Sequence, residues 1–307
     1  MGAAETRAVP LRRWPWIALL LALSWPAHSQ QLEPRAYSPN PVGIHFITLN
    51  AGRTDGDVLT DAASPIQDFK VKVNESAIGY GQSFALADRM ASFGIVVPYA
   101  AGEATGTLDG ESRIVHRNGF ADLRVRFTAS LLKGSALDPA AFARQPPDRT
   151  LGVSLVVSAP TGEYFDDKLV NLGTNRWGFK PELGGARQFG RWTVDGTLGG
   201  WFYTKNPDFL LGPKEQDPIG VVQGHVSYTF APRLWLGLGL TWYSGGQSTV
   251  GGVEQPDSLD NSRAGITLAL PIGKQQSVKL AFSTGTSARA GGEYDNYAIS
   301  WQFLWFD

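Results

Sequence analysis

Cysteine is absent from the 307-residue chain, which excludes disulfides, thiolate metal sites and cysteine nucleophiles. Charged residues are scarce at 18%, against about a quarter of an ordinary soluble domain. Long apolar runs are missing as well: none reaches the roughly 18 residues that a membrane helix needs, so a bundle of membrane helices is excluded while another kind of membrane protein is not. Histidine is limited to four residues, and beyond His28 the remaining His45, His116 and His225 are far apart, without the short ligand spacing of zinc sites. Asp55, Asp57 and Asp61 lack the Asp/Asn/Gly register of a calcium loop and read as solvated loop. Neither GxxxxGK nor GxSxG occurs. No cofactor and no metal is expected.

Glycine and tryptophan, by contrast, are abundant, with 36 and 10 residues. The N-terminus carries Arg7 and Arg12-Arg13, an uncharged run of 12 residues from Trp14 to Trp25, and small residues at Ala27 and Ser29. Positive start, short apolar centre and small-residue cleavage site make a signal peptide over 1–29, leaving 30–307 as the exported domain. Removing its three Arg and one Glu leaves 24 Lys+Arg against 27 Asp+Glu, a formal net charge of -3. A nucleic-acid partner would call for a basic face, and none is visible.

Beyond residue 40 the pattern has period two. From Ala121 to Leu131 every odd position is apolar and every even position polar or charged, which in a strand sends the two sets to opposite faces. Leu151, Val153, Leu155, Val157 and Ala159 oppose Gly152, Ser154 and Ser158, with Val156 as the exception; Leu234 to Trp242 and Tyr297 to Trp305 repeat the rule. About twelve such segments occur, at roughly 42–51, 69–86, 90–98, 118–132, 150–160, 175–188, 191–203, 217–230, 234–244, 261–271, 277–285 and 294–306. Long Gly/Asp/Ser/Thr-rich connections alternate with short turns, as in outer-membrane barrels with external loops and periplasmic turns. The segment 133–149 breaks the rule: it is long where a short turn is due.

A soluble sandwich also alternates, but strands of this length exceed the globular mode of about 5 to 6 residues and suit a tilted crossing of a bilayer. Apolar-face aromatics fall into two rings, Trp177, Phe202, Trp242 and Tyr297 at the external ends and Trp192, Phe230 and Trp305 at the periplasmic ends, as girdles at both interfaces would. The expectation is an all-β, antiparallel up-and-down transmembrane barrel of about 12 strands in the outer membrane of a Gram-negative bacterium, a monomer whose partners are lipid and small-molecule cargo. Such barrels usually end on an aromatic residue; here Asp307 follows Trp305-Phe306.

Parity assigns Asp122, Arg124, Arg126, Arg176, Lys180, Glu182, Asp195, Gln223, His225, Arg263 and Lys279 to the lumen. Mixed charge there fits either a salt-bridged plug or an electrostatically lined channel. Trp201, Tyr203, Trp235 and Tyr243 also point inward, either to stack on a flat ligand or to pack against a loop folded into the barrel.

Several stretches resemble a family of bacterial outer-membrane proteins linked by name to the MetA pathway of phenol degradation. They are Pro41-Val42-Gly43, Gly119-Phe120-Ala121-Asp122, Gln216-Asp217-Pro218 and, most specifically, 159–182, with Pro160, Thr161, Gly162, Tyr164, Asn171, Gly173, Asn175, Trp177 and Pro181. The resemblance implies an exported, transporter-like barrel and no catalytic residues. The ending on Asp307 and the long 133–149 segment depart from the family pattern.

An enzyme would need a constellation. His225 and Ser227 stand two apart on one strand, as in outer-membrane phospholipases, but the matching face of the following strand offers only Gly237, Gly239 and Thr241 to orient the imidazole. Both also face the lumen, away from lipid. A channel is therefore favoured over a lipid hydrolase and over a plugged structural or surface-binding barrel.

Overall fold

The computed structural model describes residues 32–56, 67–108, 111–168, 170–289 and 293–307. The expected signal peptide lies outside these residues, as do Asp57 and Asp61.

Antiparallel strands close on themselves. The wall runs through β1 (Ile44–Gly56), β2 (Gln67–Leu86), β3 (Arg89–Leu108), β4 (Glu111–Phe120), β5 (Leu123–Ser130), β6 (Arg149–Ala159), β7 (Gly178–Phe189) and β8 (Trp192–Tyr203). After the short β9 (Lys214–Gln216) it continues with β10 (Ile219–Ala231) and β11 (Leu234–Gly245); after the equally short β12 (Ser248–Val250) and β13 (Val253–Glu254) come β14 (Leu259–Pro271), β15 (Gln276–Ser287) and β16 (Tyr294–Phe306). β1 pairs with both β2 and β16, so the sheet has no free edge there. β4 and β5 pair with successive halves of β3 and share one place in the wall, interrupted at Ala121-Asp122. The barrel thus has twelve wall strands, and β9, β12 and β13 form a separate small sheet among the loops.

Strand ends differ from the alternation-based estimates mainly on the external side. β3 runs to Leu108 rather than 98, and β4 begins at Glu111. This hairpin extension is missed by an apolar-alternation rule because it stands beyond the lipid belt. Val71, Ala104, Val170 and Tyr294 pack against one another there instead.

The molecule is inside out relative to a soluble protein. Leu238 and Leu240 are 61% and 63% exposed, whereas Arg126, Arg263, His225 and Ser227 are at most 2% exposed. Apolar side chains on the outer face cost nothing in lipid, and closure satisfies the backbone groups that lipid cannot. Aromatics cluster along this face: Trp192, Tyr228 and Phe230 touch in sequence with centroids 5.0 Å apart at each step, and Phe303 lies 5.9 Å from Trp305. Val156, the exception to the polar face of its strand, joins Val96, Trp201, Ile219, Val221 and Tyr243 in an apolar layer inside the barrel.

Short turns mark the periplasmic end. Between β2 and β3, Ala87 and Asp88 both adopt positive φ (46° and 62°), the geometry of a two-residue hairpin turn whose twist matches the strands. The 131–148 connection lies at this same end and contains α1 (Pro139–Arg144), capped by the Asp138 side chain. It is anchored by the Gly134 N–H to the Asp88 carbonyl (3.1 Å), the Met90 N–H to Ser135 Oγ (3.0 Å) and buried Phe142.

Candidate functional site

Residues 32–43, ahead of the first strand, enter the barrel and cross its lumen as a strap. Two glycines make room for it. A Cβ on Gly184 would stand 2.3 Å from the Tyr37 ring, and one on Gly265 would stand 2.3 Å from Leu32. Part of the glycine surplus is therefore space for the strap.

Two polar clusters hold it. In the first, Glu33 pairs with Arg126 and lies 3.9 Å from Lys180, while Glu182 takes Arg126 and Lys180 at 2.9 Å each. Ser154 Oγ donates to Glu182 (2.9 Å) and lies 2.8 Å from the Tyr37 hydroxyl. In the second, Arg35 gives its backbone N–H to Asp195 (3.1 Å), its Nε to Ser227 Oγ (2.7 Å) and an Nη to Thr229 Oγ1 (2.8 Å), with its guanidinium 4.6 Å above the Trp235 ring. Charges taken out of water in this way contribute little net stability as a set, yet losing one partner costs about 3–5 kcal/mol. Burial alone would raise the Glu33 carboxyl, but Arg126 and Lys180 outweigh it and hold the group below its ordinary value of 4.5.

His225 and Asp195 meet across β10 and β8, with Nδ1 and Oδ1 2.9 Å apart. The carboxylate that orients the imidazole therefore comes from the preceding wall strand, not from the following one. Ser227 Oγ, however, is taken by Arg35, and His225 Nε2 has no hydrogen-bond partner among the described residues, so no serine–histidine contact is made.

Toward the external end the lumen changes character. Trp201 and Tyr203 stack with centroids 5.7 Å apart and planes 8° apart. Lys180 Nζ lies 5.4 Å from the Trp201 ring centre and the Arg176 guanidinium 4.3 Å from that of Tyr203. Arg176 stands in a loop rather than in the wall and donates to Gln216 (2.6 Å). Gln223 and Tyr243 are buried inward, Arg124 is half-buried, and Lys279 is buried across the lumen. Arg263 lies apart, bonded to Ser283 Oγ (3.1 Å) and the Tyr294 carbonyl (3.0 Å).

The 159–182 stretch folds into a loop clasp. Asp122 accepts from the Gly162 N–H (2.9 Å), the Thr174 N–H (2.9 Å) and the Thr174 hydroxyl (2.6 Å). Gly162 and Gly173 pass so closely that a Cβ on Gly162 would meet Gly173 Cα at 2.7 Å. Asn171 closes its own turn through Phe165 and Lys168, Thr161 Oγ1 accepts the Leu123 N–H at 3.0 Å, and Asn175, in a left-handed conformation that asparagine tolerates, reaches Asn206, which bonds Tyr164. Trp177 and Pro181 face outward and Pro160 is half-buried.

Among known families, the one described as "Putative MetA-pathway of phenol degradation" matches residues 50–303. The chain belongs to this family. Among solved structures it resembles the COG4313 outer membrane channel from Pseudomonas putida F1, at 20% identity and a TM-score of 0.74, covering 90% of this chain and all of that one. It also matches the NanC porin at 10% identity and a TM-score of 0.48, covering 84% of this chain and 98% of that one. The first likeness shows the fold, a twelve-stranded outer-membrane barrel. No curated protein sequence matches the chain.

Glu33, Arg35 and Tyr37, which anchor the strap, carry no signal in the sequence. In sequence they are three polar or aromatic residues of a short segment before the first strand, indistinguishable from an exposed linker.

Proposed function

We propose that this family member, exported with residues 1–29 removed, acts as a monomeric outer-membrane channel for small organic acids carrying a flat or aromatic group. The observation that carries the reading is the stacked Trp201–Tyr203 pair with Lys180 over one ring and Arg176 over the other. A flat ring entering from the external side meets the half-buried Tyr203 at the edge of this stack, and a carboxylate meets the half-buried Arg176 beside it, Lys180 being held by Glu182. The apolar layer around Trp201 narrows the path, and the strap blocks it further down, so the resting barrel conducts weakly. Lipid hydrolysis is disfavoured because Ser227 is engaged by Arg35 and faces the lumen.

The test is reconstitution. In planar bilayers the protein should give small, anion-preferring currents, and proteoliposomes should take up benzoate faster than acetate and much faster than benzylamine. A folded barrel with neither conductance nor solute flux would end this reading.

A further inference from the structure

We propose that Arg126 and Lys180 form a latent carboxylate site, filled in the resting barrel by Glu33 of the strap, and that an aromatic carboxylate in the lumen takes the place of Glu33 and unseats the strap. The choice of ligand rests on the cargo reading above; the site itself follows from the lumen geometry.

Charge and attachment single out Glu33 as the exchangeable member. Two cations, Arg126 and Lys180, face two carboxylates, Glu33 and Glu182. Arg126 stands on β5 and Lys180 and Glu182 on β7, all fixed by ladder pairing through β6, whereas Glu33 stands on a segment outside any strand. Glu33 is also the member a solute reaches first: its side chain is 16% exposed, against 2% for Arg126, 6% for Lys180 and 3% for Glu182. Withdrawing Glu33 alone leaves a buried positive charge unbalanced, which is costly. A free carboxylate that replaces it restores the count, so exchange costs far less than simple release.

The strap itself shows what kind of acid fits. The Tyr37 ring lies 5.5 Å from the same Arg126 guanidinium, in a slot that Gly184 leaves open. Glu33 and Tyr37 therefore set a carboxylate and a flat ring about one cation, and a departing strap vacates both places. Lys180 links this site to the external stack, its Nζ lying 5.4 Å from the Trp201 ring centre and 3.9 Å from Glu33. Because Glu33 is tethered, its effective concentration at the cations is on the order of millimolar, and a free acid competes only at comparable concentration.

The chain has no cysteine, so Ser38→Cys, at a buried position of the strap, supplies one thiol whose reaction with a water-soluble maleimide reports strap release without measuring conduction. In lipid nanodiscs at constant ionic strength, benzoate should speed labelling by at least about fivefold, with its half-effect in the millimolar range. Benzyl alcohol and chloride should not. Ala36→Cys gives the same reading should the first variant not fold. Calorimetric titration supplies a second measurement: Glu33→Gln should bind benzoate about tenfold more tightly than the unaltered protein, because the tethered competitor is gone. A merely structural role for Glu33 would produce no such gain. Labelling unaffected by benzoate, equal acceleration by benzyl alcohol, or unchanged or weaker benzoate binding in a Glu33→Gln barrel that still migrates as folded would each overturn the proposal. Benzoate uptake without faster labelling would overturn it and leave the channel reading standing; faster labelling without uptake would do the reverse.

Discussion

His45 Nε2 lies 2.6 Å from the Asp307 carboxylate, so a residue at the start of the first wall strand grips the last residue of the chain. The imidazole also stacks on Trp305 at 5.4 Å, and its Nδ1 is 2.8 Å from the Tyr80 hydroxyl. The Asp307 N–H donates to the Gly43 carbonyl (3.1 Å). Asp307 departs from an aromatic ending, yet it pins the β1–β16 seam. Asp307→Ala should lower the temperature at which the folded band is lost on gels by a few degrees, since the Asp307 carboxylate is exposed and a pair screened by solvent on one side contributes about 1 kcal/mol or less. An unchanged transition would mean that the backbone pairing alone holds the seam.

Removing the strap should open the barrel. With residues 32–40 deleted, the wall keeps all its strand pairing, and the space beside Gly184 and Gly265 becomes free. Single-channel conductance is expected to rise several-fold while the protein still migrates as a folded barrel. Equal conductance would show that the apolar layer around Trp201, not the strap, sets the resistance.

The strap should also respond to acid. The Glu33 carboxyl is held below its ordinary value by Arg126 and Lys180. A carboxyl depressed in the folded state stabilises it above the unfolded value, here 4.5, and that contribution is lost as pH falls through the folded value. Conductance should therefore be flat near neutrality and climb below about pH 4.5. Glu182 faces the same two cations and Asp195 faces Arg35 and His225, so the deciding comparison is Glu33→Gln. That variant should already conduct more at pH 7 and should lose most of the acid response. A response of unchanged size would assign it to the wall carboxylates.

The barrel was legible in the sequence because lipid imposes a strict rule. Each wall strand must turn apolar side chains outward, and Leu151, Val153 and Leu155 obey it residue by residue. Lumen residues followed by parity: Arg126, Lys180, Glu182, Asp195 and His225 are all buried inside. Their partners did not follow. Parity states which way a side chain faces but not its height, and pairing between His225 and Asp195 depends on register across two strands. The strap was hidden for a different reason: it has no regular structure, so no periodicity marks it, and its anchors lie more than 90 residues away in sequence.

Asp122 is the post to which the 159–176 loop is tied. Its carboxylate takes two backbone N–H groups and the Thr174 hydroxyl, and hydrogen bonds to a charged group contribute about 1.5–3 kcal/mol each. Asp122→Ala should release the loop without unfolding the wall. Trypsin cleavage after Lys168 or Arg176 in the reconstituted protein should then quicken by at least about tenfold. Cleavage at the original rate would show that the Asn206 contacts suffice.

The aromatic pair and the cation above it should separate two components of selectivity. Trp201→Ala removes one face of the stack with Tyr203 but leaves Arg176 and its bond to Gln216 in place. Benzoate uptake should fall several-fold relative to acetate, while the preference for anions over cations, read from the reversal potential in a salt gradient, stays unchanged. Arg176→Met should do the opposite, because it keeps a side chain over Tyr203 yet takes one positive charge from the external entrance: the reversal potential should move toward cations with the benzoate-to-acetate ratio largely preserved. Ring contact acts on a flat solute at short range, whereas a fixed charge in a narrow, low-dielectric passage acts on every ion that enters. If both variants shift both readouts together, the two groups do not act separately, and the rings serve only to hold Arg176 and Lys180 in place.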